Sequence, residues 1–280
     1  MTTTLSVIVQ LPSPAADDTA SDVIDAARAV LALAASRGAD AVILPELDGA
    51  LVDPTVLAGL LSADGHDVAI LVEARTDRHA PFNLARRAQT IARLTGGRAG
   101  LYLRGTGVDP ITAAGRPGTD RGSDVTAEYA EVLRRLWDSF PLSALLGDRE
   151  AGLFADIEQI EPARHQGEVF GVEGALNIPI AGEHRPLLLA DADAIGAGAA
   201  IDALVGDADQ ADAPVYRPIT WAAVGLIADE TSGGRVLLRF DVRLADAAAH
   251  VAAALDALGV TAARPAAPAL RRRSLAAAVA

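Results

Sequence analysis

The sequence has no cysteine and no lysine, and each absence removes a class of chemistry. Without cysteine, the chain can form no disulfide, no thiolate zinc site and no cysteine nucleophile. All 24 basic residues are arginine, which also excludes a Schiff-base lysine and a phosphate-loop lysine. Aromatic residues make up 4% of the chain and hydrophobic residues 51%, so the composition is that of an alanine-rich globular protein.

Positive charge is scarce as well, since the formal net charge is −13. Nucleic acids and anionic membranes are bound by clustered basic residues that neutralise phosphates, so we expect neither as a partner. The first residues, MTTTLSVIVQLPSP, carry no basic leader, and their apolar stretch is far shorter than the ~20 residues of a membrane span. We therefore expect a cytoplasmic protein.

Apolar runs alternate with amphipathic segments through the first half of the chain, which is typical of parallel βα units. The predicted strands are 5–11, 41–47, 68–75 and 99–106, and the predicted helices are 21–37, 53–62, 81–94 and 124–139. A long loop rich in Gly, Pro, Thr and Asp fills 107–123, and a loop of this length in a compact domain is commonly functional or disordered.

The pattern weakens in the second half. The alternation breaks at about 141–185, which we interpret as an irregular insertion. Further on, the sequence predicts a strand at 186–190, a poor helix at 194–203, a strand remnant at 204–206 and a last helix at 244–258. Strands at 221–228 and 235–242 flank ETSGGR, which resembles a hairpin turn more than a crossover.

These elements favour one α/β domain over 1–280, a (β/α)8 TIM-like barrel that is trimmed or distorted in its C-terminal third. The alternative is an open doubly wound sheet. No GxGxxG follows the first strand, so a Rossmann nucleotide site has no support.

Three stretches carry a resemblance to a known family: APFNLARRAQTIARLTGGRAG at 80–100, AEYAEVLRRLWDSF at 127–140 and HQGEVFGVEGALNIP at 165–179. Together they resemble the luciferase-like flavin-dependent monooxygenases, in the branch of the nitrilotriacetate and dibenzothiophene-sulfone enzymes. The likeness covers about 5–207. The third stretch is the most discriminating, because its glycine and asparagine pattern has no general structural reason to recur.

The resemblance implies a barrel of the bacterial luciferase type with its site at the C-terminal mouth. It also implies FMN as cofactor, supplied in the reduced form by a separate flavin reductase, and oxidation of a small organic substrate. Such proteins associate through barrel helices, so we expect a homo-oligomer built on helices 21–37 and 244–258.

Matching positions supply the candidate cofactor-binding residues. Glu46 stands where the family usually has an aspartate near the flavin ring, and Thr76 where it places a hydroxyl against the isoalloxazine. Tyr102 replaces part of a Trp-Asn pair and could stack on the ring, while Arg104 could bind phosphate through its guanidinium fork. Ser123 lies at the position of the tyrosine that reaches toward the phosphate in the family.

Departures from the family leave a second hypothesis open. Asp191 and Asp193 replace a Gly- and Ser-rich turn, and two carboxylates would repel a bound phosphate. His79, after the third strand, is the candidate for an acid or base, and the histidine and acidic spacings suggest no metal site. The chain is then either a flavin-dependent oxidoreductase or a degenerate homologue that has lost FMN and serves as a binding or structural subunit.

Overall fold

Four βα units form the first half of the protein in the computed structural model, which describes residues 5–46, 51–104, 122–180, 185–195, 201–207, 213–224 and 234–260. The strands are β1 (Ser6–Gln10), β2 (Ala41–Leu44), β3 (Ala69–Arg75) and β4 (Ala99–Arg104), and the helices are α1 (Ala20–Arg37), α2 (Pro54–Ser62), α3 (Pro81–Leu94) and α4 (Gly122–Asp138). The alternation predicted from the sequence is confirmed here.

Local signals explain where the first helices begin and end. Thr19 caps α1 and forms a capping box with Asp22, and Gly38 ends the helix in the left-handed conformation, with φ of 75°. At α2, the Asp53 side chain accepts from the backbone N–H of the first turn while Pro54 occupies the first helical position. These ends fix the short connections that return each helix to the next strand.

Two small antiparallel sheets lie between α4 and the next barrel strand, in the region predicted as an insertion. They pair β5 (Leu145–Asp148) with β6 (Leu153–Ala155), and β7 (His165–Gln166) with β8 (Gly171–Val172). This region has few buried apolar residues of its own, so its position depends on the contacts that it makes with the barrel helices.

The second sheet is fastened to α4 by a group that we call the insertion latch: Glu128, His165, Val169 and Phe170. The Glu128 carboxylate accepts from the backbone N–H groups of Val169, at 3.1 Å, and Phe170, at 2.8 Å, and its Oε1 lies 3.1 Å from His165 Nε2. Further along, the amide N–H of Leu176 donates to Ser139 Oγ. The latch therefore holds the insertion against α4, on the outer face of the barrel.

The second half supplies four more strands: β9 (Leu187–Asp191), β10 (Ala203–Val205), β11 (Val215–Thr220) and β12 (Arg235–Arg239), followed by α5 (Ala247–Ala257). The helix predicted at 194–203 is wrong for the residues described, since a 3-10 turn covers Ala192–Ala194 and Ala203 already belongs to β10. Residues 196–200 lie outside the described part.

The predicted hairpin near the C-terminus is also wrong. The penultimate strand is Val215–Thr220, and it pairs with β12 in parallel, with Arg217 opposite Val236. Because that strand ends at Thr220, residues 221–234 are long enough for the crossover of about a dozen residues that a parallel pair requires.

The eight strands close into a barrel in the order β1, β12, β11, β10, β9, β4, β3, β2. Closure is completed by β1, which pairs in parallel with both β2 and β12. The open doubly wound sheet is thereby excluded. The strand set is complete, and the described residues after β9 include the outer helix α5.

Side chains alternate between the two faces of each strand. The inward set forms one apolar cluster within the barrel, which includes Ile8, Ile43, Leu71, Leu189 and Leu237. The outward set packs against the helices, and Trp137 of α4 anchors this layer, with its ring buried and its Nε1 donating to the carbonyl of Ala85 at 3.0 Å. The apolar interior ends near the carboxyl ends of the strands, where polar residues replace it.

Candidate active site at the carboxyl end of the barrel

Polar side chains fill the interior of the barrel where strands β1, β3, β4, β9 and β12 end. Each occupies an inward-facing position at the carboxyl-terminal edge of the apolar cluster, of which the Tyr102 ring is itself a member. We call this group the mouth network, and its members are Gln10, Glu73, Tyr102, Arg104, Asp191 and Arg239. Parallel barrels carry their functional groups at this end, so the position alone makes the network a candidate site.

Tyr102 is the central member of the mouth network. Its hydroxyl donates to Asp191 Oδ1 and accepts from Arg239 Nη2, which lies 3.0 Å away. The second oxygen of Asp191 accepts from Arg104 Nε at 3.1 Å. The Arg104 guanidinium also lies 5.6 Å from the centre of the Tyr102 ring, a cation–π distance. Asp191 is therefore held by two donors.

Glu73 and Gln10 complete the network on its other side. Arg239 Nε donates to Gln10 Oε1 at 3.1 Å, and Gln10 Nε2 donates to Glu73 Oε2 at 3.3 Å. Arg104 Nη1 lies 3.7 Å from Glu73 Oε1, within ion-pair distance but beyond a hydrogen bond. Glu73 is thus the carboxylate of the network that its neighbours satisfy least.

Burial sets the protonation of these groups. It raises the pKa of Glu73 to about 7, against the opposing pull of Arg104 and Arg239. Burial, together with the neighbouring Asp191 carboxylate, also raises the pKa of Tyr102, so its hydroxyl keeps its proton at neutral pH. Glu73 is therefore able to gain or lose a proton near neutral pH.

A second pair lies beside the network, after β2 and β3. Glu46 Oε1 is 2.9 Å from His79 Nε2, and Glu46 Oε2 accepts from the backbone N–H of Arg75 at 2.6 Å. The Tyr129 hydroxyl donates to the carbonyl of His79 at 2.8 Å. Both side chains of the pair are largely buried, so Glu46 orients the imidazole and joins the ends of the two strands.

Thr76 differs from both groups, because it is completely buried and its hydroxyl makes no hydrogen bond within the described residues. Its backbone N–H donates to the carbonyl of Arg104 at 2.9 Å, which extends the pairing of β3 and β4. A buried hydroxyl without a partner is costly and uncommon, so this side chain is a candidate to meet a ligand.

A family model described as luciferase-like monooxygenase matches residues 3–207. The chain belongs to this family. Pristinamycin IIA synthase B, a synthase subunit from Streptomyces pristinaespiralis, is 30% identical over 257 residues, which cover 88% of this chain and 86% of that protein. Nitrilotriacetate monooxygenase component A from Aminobacter aminovorans is 31% identical over 157 residues, covering 55% of this chain and 34% of the relative. The chain thus spans most of the first relative but about a third of the second.

Solved structures support the luciferase-like barrel. A riboflavin lyase determined with modified FMN and riboflavin aligns with a TM-score of 0.68 at 16% identity, covering 97% of this chain and 95% of that one. A long-chain alkane monooxygenase aligns with a TM-score of 0.59 at 15% identity, covering 86% of this chain and 64% of the other. At these identities the likeness concerns the fold.

The structure brings the residues predicted from the family into two groups and one isolated position. Tyr102 and Arg104 join in the mouth network, Glu46 and His79 form the adjacent pair, and Thr76 stands alone. The Tyr102 ring is wholly buried, so stacking on a flavin would require its present cover to move. Ser123 lies in the first turn of α4, and its side chain is outside the described part of the structure.

Sequence reasoning missed Gln10, Glu73 and Arg239. Each is a polar residue at an inward-facing position of an apolar strand. For Gln10 and Glu73, the alternation of inward and outward positions along the predicted strand was the available signal. The repulsion expected from Asp191 is also revised, because Tyr102 and Arg104 bind that carboxylate, while Asp193 is exposed.

The described residues contain no group of three or more His, Asp or Glu side chains placed to hold a metal ion. Nor does any helix among them have the length and apolar character needed to cross a bilayer.

Proposed function

We propose that this luciferase-like protein is a flavin-dependent oxidoreductase that uses reduced FMN from a separate reductase to oxidise a small organic molecule. The observation that carries the proposal is the mouth network, which presents two inward guanidinium groups and a titratable carboxyl where the family barrel has its site. Relatives named as nitrilotriacetate and dimethyl-sulfide monooxygenases support the reaction class.

The residues present fit an anionic flavin in charge and in hydrogen bonding. Arg104 and Arg239 bring positive charge to the mouth, and Thr76 offers a hydroxyl that lacks a partner among the described residues. When bound, reduced flavin would supply the electrons for activating oxygen. The chain would supply the seat for the flavin and groups that hold or move protons.

The Glu46–His79 pair is the second contribution of the chain. Histidine is a proton carrier, and a carboxylate at 2.9 Å fixes the orientation of its ring. The His79 side chain lies at the edge of the mouth, with 14% of its surface exposed. We propose that His79 exchanges protons with substrate while Glu46 positions it.

Flavin titration tests the proposal. Oxidised and photoreduced FMN are added to the purified protein, and binding is followed by fluorescence quenching and thermal unfolding. Reduced FMN at 100 times its dissociation constant should stabilise the fold by about 2.7 kcal/mol. The variant Arg104→Gln should bind more weakly, whereas Arg135→Gln, which changes an exposed arginine paired with Glu131, should bind as the wild type does. No shift with either redox form would exclude the proposal.

A second candidate function, a subunit without flavin chemistry, is favoured by the surface of the insertion. Phe154 is 71% exposed and Ile157 is 79% exposed, and Leu146 and Leu153, on the strands of the first small sheet, are exposed as well. Several large exposed apolar side chains within one short region are typical of protein interaction sites. The relative matched along most of its length is itself named as a subunit.

We propose that this apolar surface, rather than α1 and α5, joins two copies of the chain. The two helices already pack against each other within one chain, where Arg37 pairs with Asp256. Light scattering should give a mass above 28.7 kDa for the wild type, and Phe154→Asp should return it to that value. Leu94→Asp is the control, because it changes an exposed apolar residue on α3. A monomeric wild type would contradict the assembly, and flavin binding would contradict loss of the cofactor.

A further inference from the structure

Arg239 lies outside the region matched by the family model, and its partners within the described residues are neutral. Its Nε donates to Gln10 Oε1 and its Nη2 to the Tyr102 hydroxyl. A guanidinium has five N–H groups, so three have no acceptor within the part of the chain that the structure describes. An arginine set inside a barrel with neutral partners is unusual, because partly buried charges are normally paired.

The charge of the mouth network depends on one proton. The network contains two guanidinium groups, Arg104 and Arg239, and two carboxyl groups, Asp191 and Glu73. Asp191 is held by Tyr102 and Arg104. When Glu73 carries a proton, one positive charge is left over, and it lies on the side of Arg239.

We propose that Arg239, with Arg104 and Glu73, forms a subsite in the barrel mouth for a planar monoanion, and that binding of the anion is coupled to protonation of Glu73. A carboxylate on a small organic molecule has this chemistry, since its two oxygens match the guanidinium fork. The ring of a reduced flavin, with a delocalised negative charge next to a carbonyl, is the other source. The subsite does not depend on the proposed monooxygenase activity, because a non-catalytic subunit would retain it.

The coupling follows from what faces Glu73. Gln10 approaches from β1, Tyr102 and Arg104 from β4, Asp191 from β9 and Arg239 from β12. Glu46, after β2, and Arg75, on β3 itself, also face it. Glu46 is bound to His79 and Arg75 to Asp77, so each of these two side chains has its own local partner. An anion beside Arg239 disfavours a second negative charge on Glu73, and the site therefore takes up a proton as it binds.

The first arm of the experiment compares charged and neutral isosteres on the intact protein. Benzoate and benzamide have the same shape, and benzoate is ionised throughout the range used. Ligand-observed NMR titration should show benzoate bound about tenfold more tightly than benzamide. Riboflavin, which lacks the phosphate, is titrated in its oxidised and reduced forms, and a preference for the reduced form alone would assign the subsite to the flavin ring.

The second arm tests the proton coupling. If the site binds the anion when Glu73 is protonated, the affinity should fall about tenfold between about pH 6 and about pH 8, because the group titrates at about pH 7. Glu73→Gln is uncharged, like the protonated glutamate. At both pH values the variant should therefore bind the anion with the affinity that the wild type has at about pH 6. Glu131→Gln, an exposed carboxylate on α4, should keep the tenfold dependence.

The third arm tests the arginine. Arg239→Gln should remove the preference for the anion, and Arg235→Gln, at the opposite and exposed end of the same strand, should leave it intact. The inference is overturned if neither anion binds more tightly than its neutral counterpart, or if the preference survives Arg239→Gln. The first two arms require no change at Arg239, so they decide the question even if that variant fails to fold. Flavin binding without any anion preference would overturn this inference and leave the proposed function standing.

Discussion

The mouth network and the insertion latch each contain a largely buried glutamate, and the two carboxylates differ in how many hydrogen-bond donors surround them. Glu128 of the latch accepts from two backbone N–H groups and lies beside His165. Among the described residues, Glu73 of the mouth receives one hydrogen bond, from Gln10, and its Oε1 lies 3.7 Å from Arg104. A carboxylate saturated by fixed donors serves structure, whereas one left short of donors is free to exchange a proton.

The three stretches that resemble the family lie close to the latch. The stretches 80–100, 127–140 and 165–179 meet at the latch and on the outer helix layer, rather than in the mouth network. Gly167 makes the point, because a Cβ there would lie 1.9 Å from Glu128 Oε1. Gly167 therefore has a structural reason, contrary to the expectation from sequence, whereas a Cβ at Gly171 or Gly174 would meet no close neighbour. The three stretches therefore carry packing contacts, and the members of the mouth network lie outside them.

The largest effect is expected from Glu128→Ala. The substitution leaves the N–H groups of Val169 and Phe170 without their acceptor in a partly buried site and removes the partner of His165. We expect the free energy of unfolding to fall by about 4 kcal/mol, measured by denaturant titration. Binding of FMN to the folded fraction should change by less than about twofold, because distant sites act independently.

Two further variants sharpen this prediction. Gly167→Ala should destabilise through the same carboxylate, since the added methyl group displaces it. Glu131→Ala removes an exposed glutamate one turn along α4, paired with Arg135, and should cost no more than about 0.5 kcal/mol. If Glu128→Ala were as mild as Glu131→Ala, the latch would not hold the insertion.

The sequence predicted the first half of the fold well, for a physical reason. In β1 to β4 and α1 to α4, hydrophobic periodicity and end signals such as Asp53 with Pro54 act within a few residues of each other. The second half depends on pairing between distant segments. The parallel register of β11 and β12 follows from closure of the barrel, which no local pattern records.

The same distinction separates the predicted from the missed site residues. Glu46 and Thr76 follow strands that were recognised, so their place at the mouth could be inferred. Arg239 lies on the strand assigned to a hairpin, and that assignment hid its position. Asp191 was expected to repel an anion because its partner Arg104, 87 residues earlier in the chain, could not be placed beside it.

The next largest effect concerns the pH dependence of stability at the mouth. Burial raises the pKa of folded Glu73 to about 7, above its unfolded value of about 4.3. The folded state therefore holds the proton more tightly, and the contribution of Glu73 to stability is greatest below the unfolded pKa and declines as pH rises through 7. Glu73→Gln should stabilise the protein by about 2 to 3 kcal/mol at about pH 8 and change little at about pH 4.5.

Denaturant titration of the wild type and of Glu73→Gln at the two pH values measures this difference. For each protein, the measurement at the lower pH is the reference for the one at the higher pH. Glu128→Gln is the contrasting case, because its donors hold a charged acceptor, and it should destabilise at about pH 8. A Glu73→Gln protein that was less stable than the wild type at the higher pH would mean that the mouth, like the latch, uses its glutamate for structure.

The smallest effect is expected from Thr76, whose hydroxyl is buried without a partner among the described residues. Thr76→Val should raise the free energy of unfolding of the free protein by about 1 kcal/mol, because it removes an unsatisfied polar group. Thr55 is the matched control: it is also buried, but its hydroxyl donates to Asp53 Oδ1 at 2.5 Å, so Thr55→Val should destabilise by a similar amount. If Thr76 meets the flavin ring, the same variant should bind reduced FMN about fivefold more weakly in a fluorescence titration, so that stability and affinity change in opposite directions. A loss of stability in the free protein would instead show that the Thr76 hydroxyl already has a partner within the chain. The arginines of the mouth would then be its remaining contribution to flavin binding.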